Sequence, residues 1–208
     1  MDCGGKKQKP ALGFLSVLED EKHGLFGGYL LLNVAGRPLE FHCTAPIRPN
    51  RAQEILYGPT LEAFLYGEQI AQTLITKAKR QAAVVYTDRL AVLAVREYVS
   101  LPVAYVFPEE QTQDASVPIS CEGASRREED GAKRGNTTRV WRHDGPHHNP
   151  PHLVDFDLGR NRLGVDHDAA ADRQTIVDQV GSLGENLDLA EPFTRIHEAI
   201  REAQKAVR

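Results

Sequence analysis

The segment Pro46-Ile47-Arg48-Pro49-Asn50-Arg51-Ala52-Gln53 gathers the residue types that bind anions. Asn50 is a good N-cap for a short helix over 51–57, and Arg48 and Arg51 flank that start. The free N–H groups and dipole of a helix start favour negative charge there. A phosphate, a carboxylate or a nucleic-acid backbone is the matching ligand class, and the prolines would hold the approach rigid. The competing assignment pairs Arg48 and Arg51 with Glu54 or another nearby carboxylate.

Glu40, His42 and Thr44 alternate with Leu39, Phe41 and Cys43. In a strand, alternate residues share a face, so a Glu–His pair two apart could serve as an oriented general base. The alternation predicts that Leu39, Phe41 and Cys43 are core and that Glu40 and His42 face solvent or a covering unit. A regular strand also points His42 and Cys43 apart, which rules out a thiol–imidazole dyad. His143, His147, His148 and His152 cluster around three prolines and are candidate ligands for Zn²⁺ or Ni²⁺. Their spacing matches no structural zinc pattern. Trp141, the single tryptophan, lies between Arg139 and Arg142 in polar surroundings and is a candidate docking anchor for a partner.

Walker phosphate loops, dinucleotide-binding glycine fingerprints, nucleophile elbows and paired Cys or His-Glu zinc motifs are absent from the sequence. Gly24, Gly27 and Gly28 are assigned to a hairpin. The formal charge of −4 over 208 residues gives no global pull toward nucleic acid or an anionic membrane. Nucleic acid stays open as a partner through local charge only, beside a protein partner or a small anion. Three scattered cysteines, Cys3, Cys43 and Cys121, predict no disulfide framework and a reducing, cytoplasmic setting. The apolar run from Ala11 breaks at Glu19-Asp20-Glu21-Lys22, so it reads as a first strand, not a signal peptide.

Hydrophobic residues make up 41% of the chain and charged residues 26%, enough for a real core. Residues 1–10 read as a frayed tail. Strands over 12–18, 29–34 and 39–44 form a three-strand antiparallel meander. Two helices follow, 51–57 and 60–80, then a doubly buried strand at Ala82–Tyr86, a helix over 89–100 that Asp88 would cap, and a strand at 103–107. Residues 11–107 thus predict an α/β core with a mixed sheet. Residues 108–150 lose apolar periodicity and read as a disordered linker or insertion. Residues 151–208 predict a hairpin turning at Gly159-Arg160-Asn161 and two helices, over 169–183 and 191–207. An isolated hairpin is marginal, so this unit should dock on the main sheet.

The order meander, helices, central strand, helix, strand resembles the ribonuclease-H-like fold over residues 12–107. That resemblance implies two divalent metals, Mg²⁺ or Mn²⁺, held by acidic residues on the first strand, on the first helix and at the end of the fourth strand. They would serve phosphodiester cleavage. Asp88 matches the fourth-strand position, and Glu54 or Glu62 the helix. The first strand departs from the pattern, with Ser16 and Val17 at its centre and carboxylates only from Glu19. One aspartate cannot hold two metals. The sequence therefore favours a non-catalytic binding or adaptor module with an anion-binding helix start at Arg48, Asn50 and Arg51. A divalent-metal nuclease or phosphodiesterase centred on Asp88, assisted by Glu40 and His42, is the alternative. A sensor of a small anion is the third reading.

Overall fold

The computed structural model describes residues 10–108, 152–184 and 187–206. The expected tail and most of the linker, with Trp141, His143, His147 and His148, lie outside the described residues. The protein is mixed α/β, built on one seven-stranded sheet. In chain order its strands are β1 (Ala11–Asp20), β2 (Gly24–Leu32), β3 (Pro38–Cys43), β4 (Ala82–Thr87), β5 (Val103–Val106), β6 (Leu153–Leu158) and β7 (Asn161–Asp166). Across the sheet they run β3-β2-β1-β4-β5-β7-β6. β1 pairs antiparallel with β2 and parallel with β4. β4 and β5 are also parallel, as a strand–helix–strand unit requires. The C-terminal hairpin lengthens the same sheet, with β7 antiparallel to β5.

β1 is apolar at both parities because it is central, and its first seven residues are all buried. One face of the sheet presents Phe14, Leu30, Tyr86 and Ala104. It is covered by α4 (Ala171–Gly184) and α5 (Glu191–Ala206), through Ile176, Val180, Phe193, Ile196 and Ile200. Those last three residues follow the spacing of one helix face. The Phe14 ring meets Tyr86 at 5.4 Å and Phe193 edge-on at 5.8 Å. The opposite face, with Leu15, Leu31 and Val85, packs Leu65, Ile70, Leu74 and Val92.

That second layer is irregular. After α1 (Arg51–Tyr57) and a 3-10 turn, the chain forms α2 (Leu61–Ala63), a π-helix at Phe64–Gln72 and α3 (Thr73–Lys77). The expected 89–100 helix is a 3-10 helix at Leu90–Glu97. Asp88 does not cap it. The N–H of Arg89 bonds Thr87 Oγ1 at 3.1 Å instead, and the residue before the helix, Arg89, is extended. Thr87 faces the second layer, where it can fold back on the chain, while Asp88 alternates to the α5 side.

Gly27 and Gly28 are not turn residues. They lie inside β2, and Gly24 alone stands at the turn. A Cβ on Gly27 would come within 2.2 Å of Ile70 Cγ2, and one on Gly28 within 2.4 Å of Ile196 Cγ2. Adjacent strand residues point to opposite faces, so this pair lets both helical layers settle directly onto β2.

β3 corrects a second expectation. Glu40 and His42 stand opposite Leu31 and Tyr29 and lie half-buried on the second-layer face. Phe41 and Cys43, expected in the core, are exposed, Phe41 at 39%. β3 is an edge strand: Leu39, at the register shift opposite Leu31 and Leu32, packs partly on the second-layer core as expected, but the side carrying Phe41 and Cys43 is left uncovered. Treating the native protein with a maleimide is expected to label Cys43, read by peptide mass spectrometry. An unlabelled Cys43 would mean that this side of β3 is covered.

Buried polar contacts tie the C-terminal elements down. Arg96 Nε and Nη2 bond Asp172 Oδ2 and Oδ1 at 2.7 and 3.1 Å, fixing α4 to the 3-10 helix. Asn161 Nδ2 donates to the Leu187 carbonyl at 2.8 Å, and its Oδ1 accepts the Leu189 N–H at 3.1 Å. This holds the approach to α5 against the hairpin.

Candidate functional site

At the carboxyl ends of β1 and β4, where open α/β sheets tend to bind ligands, three polar side chains from distant parts of the chain converge. Ser16 lies on β1 opposite Gly28, fully buried and facing α5. Asp88 follows β4 on the same face. His197 sits on the inner side of α5, between Ile196 and Ile200. Its Nε2 is 2.8 Å from Ser16 Oγ and 3.7 Å from Asp88 Oδ2. Burial pushes the imidazole pKa below its ordinary value. Arg89 and Arg201 act in the same direction, and Asp88 opposes them.

The geometry decides what this cluster can do. A serine nucleophile needs its base oriented through the other ring nitrogen. Here Ser16 and Asp88 both approach Nε2, and Ser16 has no access to solvent, so the arrangement is not a hydrolytic triad. Nor does it fit the two metals implied by the ribonuclease-H-like resemblance. The first-strand position carries a hydroxyl already engaged by His197. Among the described residues no three His, Cys, Asp or Glu side chains gather where they could hold an ion. Asp88 Oδ1 and Arg89 Nε are buried without hydrogen-bond partners among the described residues. The nearby Tyr66 hydroxyl donates to Glu19 across the second-layer face, and burial raises the Tyr66 pKa.

Glu40 and His42 do not join Asp88. They sit three strands away, about 14 Å at the usual strand spacing, and on the opposite face of the sheet. His42 Nε2 and Glu40 Oε2 are 3.1 Å apart, and Glu40 also accepts the Lys79 N–H at 2.9 Å. The His42 contact is the largest cause holding the Glu40 carboxyl below its ordinary pKa. The pair thus ties the edge strand to the loop after α3. Asp155 bonds Arg162 at the far edge of the sheet, and His152, exposed, accepts the His167 N–H through its carbonyl at 2.8 Å.

The helix start at Asn50 is firmly built. Asn50 Oδ1 accepts the Gln53 N–H and Gln53 Oε1 accepts the Asn50 N–H, a reciprocal capping box. Arg51 Nη1 bonds Glu54 at 2.9 Å. Ile47 pairs with Leu25 in a two-bond bridge that anchors the approach, and the Arg48 side chain passes beside Gly24. α1 buries none of its residues. Ile55 and Leu56 are 66% and 81% exposed, while Tyr57 stacks on Phe64 at 3.9 Å.

Sequence reasoning missed His197. The available signal was its place within the apolar spacing Phe193, Ile196, Ile200, which puts a histidine beside the buried stripe of an otherwise amphipathic helix. Ser16 was visible only as a departure from an expected carboxylate.

Fold and site together define a mixed α/β protein whose sheet is covered on both faces and whose polar centre is closed by its last helix. No known family model and no curated protein matches the sequence. Among the described residues no helix is long and apolar enough to cross a membrane.

Proposed function

We propose that this chain is a non-catalytic binding module that meets a protein partner through α1. The observation that carries this reading is a helix of seven residues, capped at its start and stacked at its end, that has no fully buried residue and presents Ile55 and Leu56 to solvent. Ordering a segment costs about 1–2 kcal/mol per residue, and α1 recovers little of that within its own fold, chiefly through the Tyr57–Phe64 stack. A contact with another molecule supplies the missing return. Arg48 and the 81% exposed Arg51 side chain would add the anionic part of the recognition, favouring a partner that sets an acidic group beside an apolar one.

Ile55→Asp/Leu56→Asp is expected to leave thermal stability within about 0.5 kcal/mol of wild type, as exposed substitutions do, while removing the partner. A photo-crosslinker at Leu56 should capture one protein in cells of the source. That adduct should disappear in Arg48→Ala/Arg51→Ala and be absent when the crosslinker sits at Glu202 on α5. An adduct unchanged by the arginine substitutions, or equal yield from Glu202, would defeat this reading.

A further inference from the structure

We propose that the Ser16–His197–Asp88 contact is a proton-released latch that holds α5 on the sheet at neutral pH and loosens it in mild acid. The contact is a polar link within a mostly apolar interface, which α5 also ties at its rim through Arg195 Nη1 to the Gly36 carbonyl at 3.3 Å. Around it α5 presses Phe193, Ile196 and Ile200 onto Phe14, Phe26 and Leu30. In a neutral imidazole protonated on Nδ1, Nε2 accepts the Ser16 hydroxyl. A second proton makes Nε2 a donor. The Ser16 oxygen can then only accept from Nε2–H, and its own O–H proton is left without an acceptor at a fully buried position, since among the described residues it bonds nothing else.

The charges around the ring set the direction. From the end of β4, Asp88 attracts the imidazolium at 3.7 Å. From the next residue Arg89 repels it, and from α5 itself Arg201 does the same. On β1, Asp20 is held by His23 at 2.8 Å and by the Lys22 N–H, and Glu19 meets Tyr66 on the other face of the sheet; neither carboxylate is among the charges that move the His197 ring. The side chains that β2 turns toward α5, Phe26 and Leu30, are apolar. Burial and two cations outweigh one carboxylate, so the docked helix prefers the neutral ring.

The sign follows. A histidine with a depressed folded pKa stabilises the docked state fully above the unfolded value of about 6.5. That stability is lost as pH falls from there through the folded pKa. Release would uncover the apolar side of β1 and β2 without breaking the pairing of β1, β2 and β4.

The test is amide hydrogen exchange of the full chain from pH 7.5 to 5, alongside an NMR titration of the His197 ring. Protection factors of α5 amides over 193–200 are expected to fall about tenfold more than those of β1 and β4. In His197→Gln the two should change together. Asp88→Asn removes the one attraction and should deepen the α5 fall, while Arg201→Gln should reduce it. If His197→Gln fails to fold at pH 7, the opposite responses of the Asp88 and Arg201 variants decide the matter. Equal changes in α5 and the strands of the wild type, or the same response in both charge variants, would overturn the latch.

Discussion

Gly28→Ala is expected to cost about 1–3 kcal/mol, the usual range for forcing extra volume into a packed core. Its Cβ would stand 2.4 Å from Ile196 Cγ2 and 3.0 Å from Ile200 Cδ1. Neither isoleucine has room to turn away: Ile196 is fully buried and Ile200 nearly so. The remaining response is to lift α5 from the sheet. Ile196→Ala alone is expected to cost about 2–5 kcal/mol by opening a cavity. The informative measurement is the double variant, because the added methyl on residue 28 enters the space that the lost Ile196 methyl leaves. Denaturant unfolding of all four proteins should give a double-variant cost below the sum of the singles by about 1–2 kcal/mol. Strict additivity would show that β2 and α5 do not meet as described.

Asp172→Ala is expected to be the second large loss, about 3 kcal/mol, in the range for breaking a buried ion pair from one side. The carboxylate is only 8% exposed and meets Arg96 with both oxygens, and Arg96 also bonds the Val99 carbonyl at 2.8 Å. Losing it strands a half-buried guanidinium and frees α4 from the second layer. Asp172 in turn is the main reason the Arg96 pKa rises. At roughly 2–4 °C per kcal/mol for a domain of this size, the midpoint should drop by about 6–12 °C. Asp172→Asn, which keeps shape and one acceptor, should lose less. A loss under about 1 kcal/mol for the alanine variant would mean the bridge is solvated and does not hold α4.

The strands were legible wherever burial on both faces forced an unbroken apolar run, as in Ala82–Tyr86 and the first half of β1. The C-terminal hairpin was legible from Gly159 and the alternation around it. What local pattern does not encode is which strand ends up at an edge. Glu40 and His42 alternate with Leu39, Phe41 and Cys43 in the same way whether or not a helix covers β3, and only the reach of α5 decides which side is wet. The π-helix and the 3-10 helix were hidden for a similar reason. Gly67 lies so close to Ala94 that a Cβ there would sit 2.9 Å from its methyl, and that approach belongs to the packed layer. The capping box at Asn50 could be anticipated from Asn50 and Gln53 alone. The polar centre could not, because Ser16 and His197 stand 181 residues apart and neither belongs to a motif.

That separation also bears on how the protein is made. β1 lies inside the sheet between β2 and β4 and leaves the ribosome well before α5, yet its cover over Phe14 arrives with Phe193 and Ile196. At ordinary elongation rates the interval is roughly 10–40 seconds. During that time β1, β2 and β4 can pair and receive their second layer, but the opposite face of the nascent sheet stays greasy and open. Such a half-covered sheet is the species a holdase chaperone would engage, and codon choice over 108–190 would set how long it must wait.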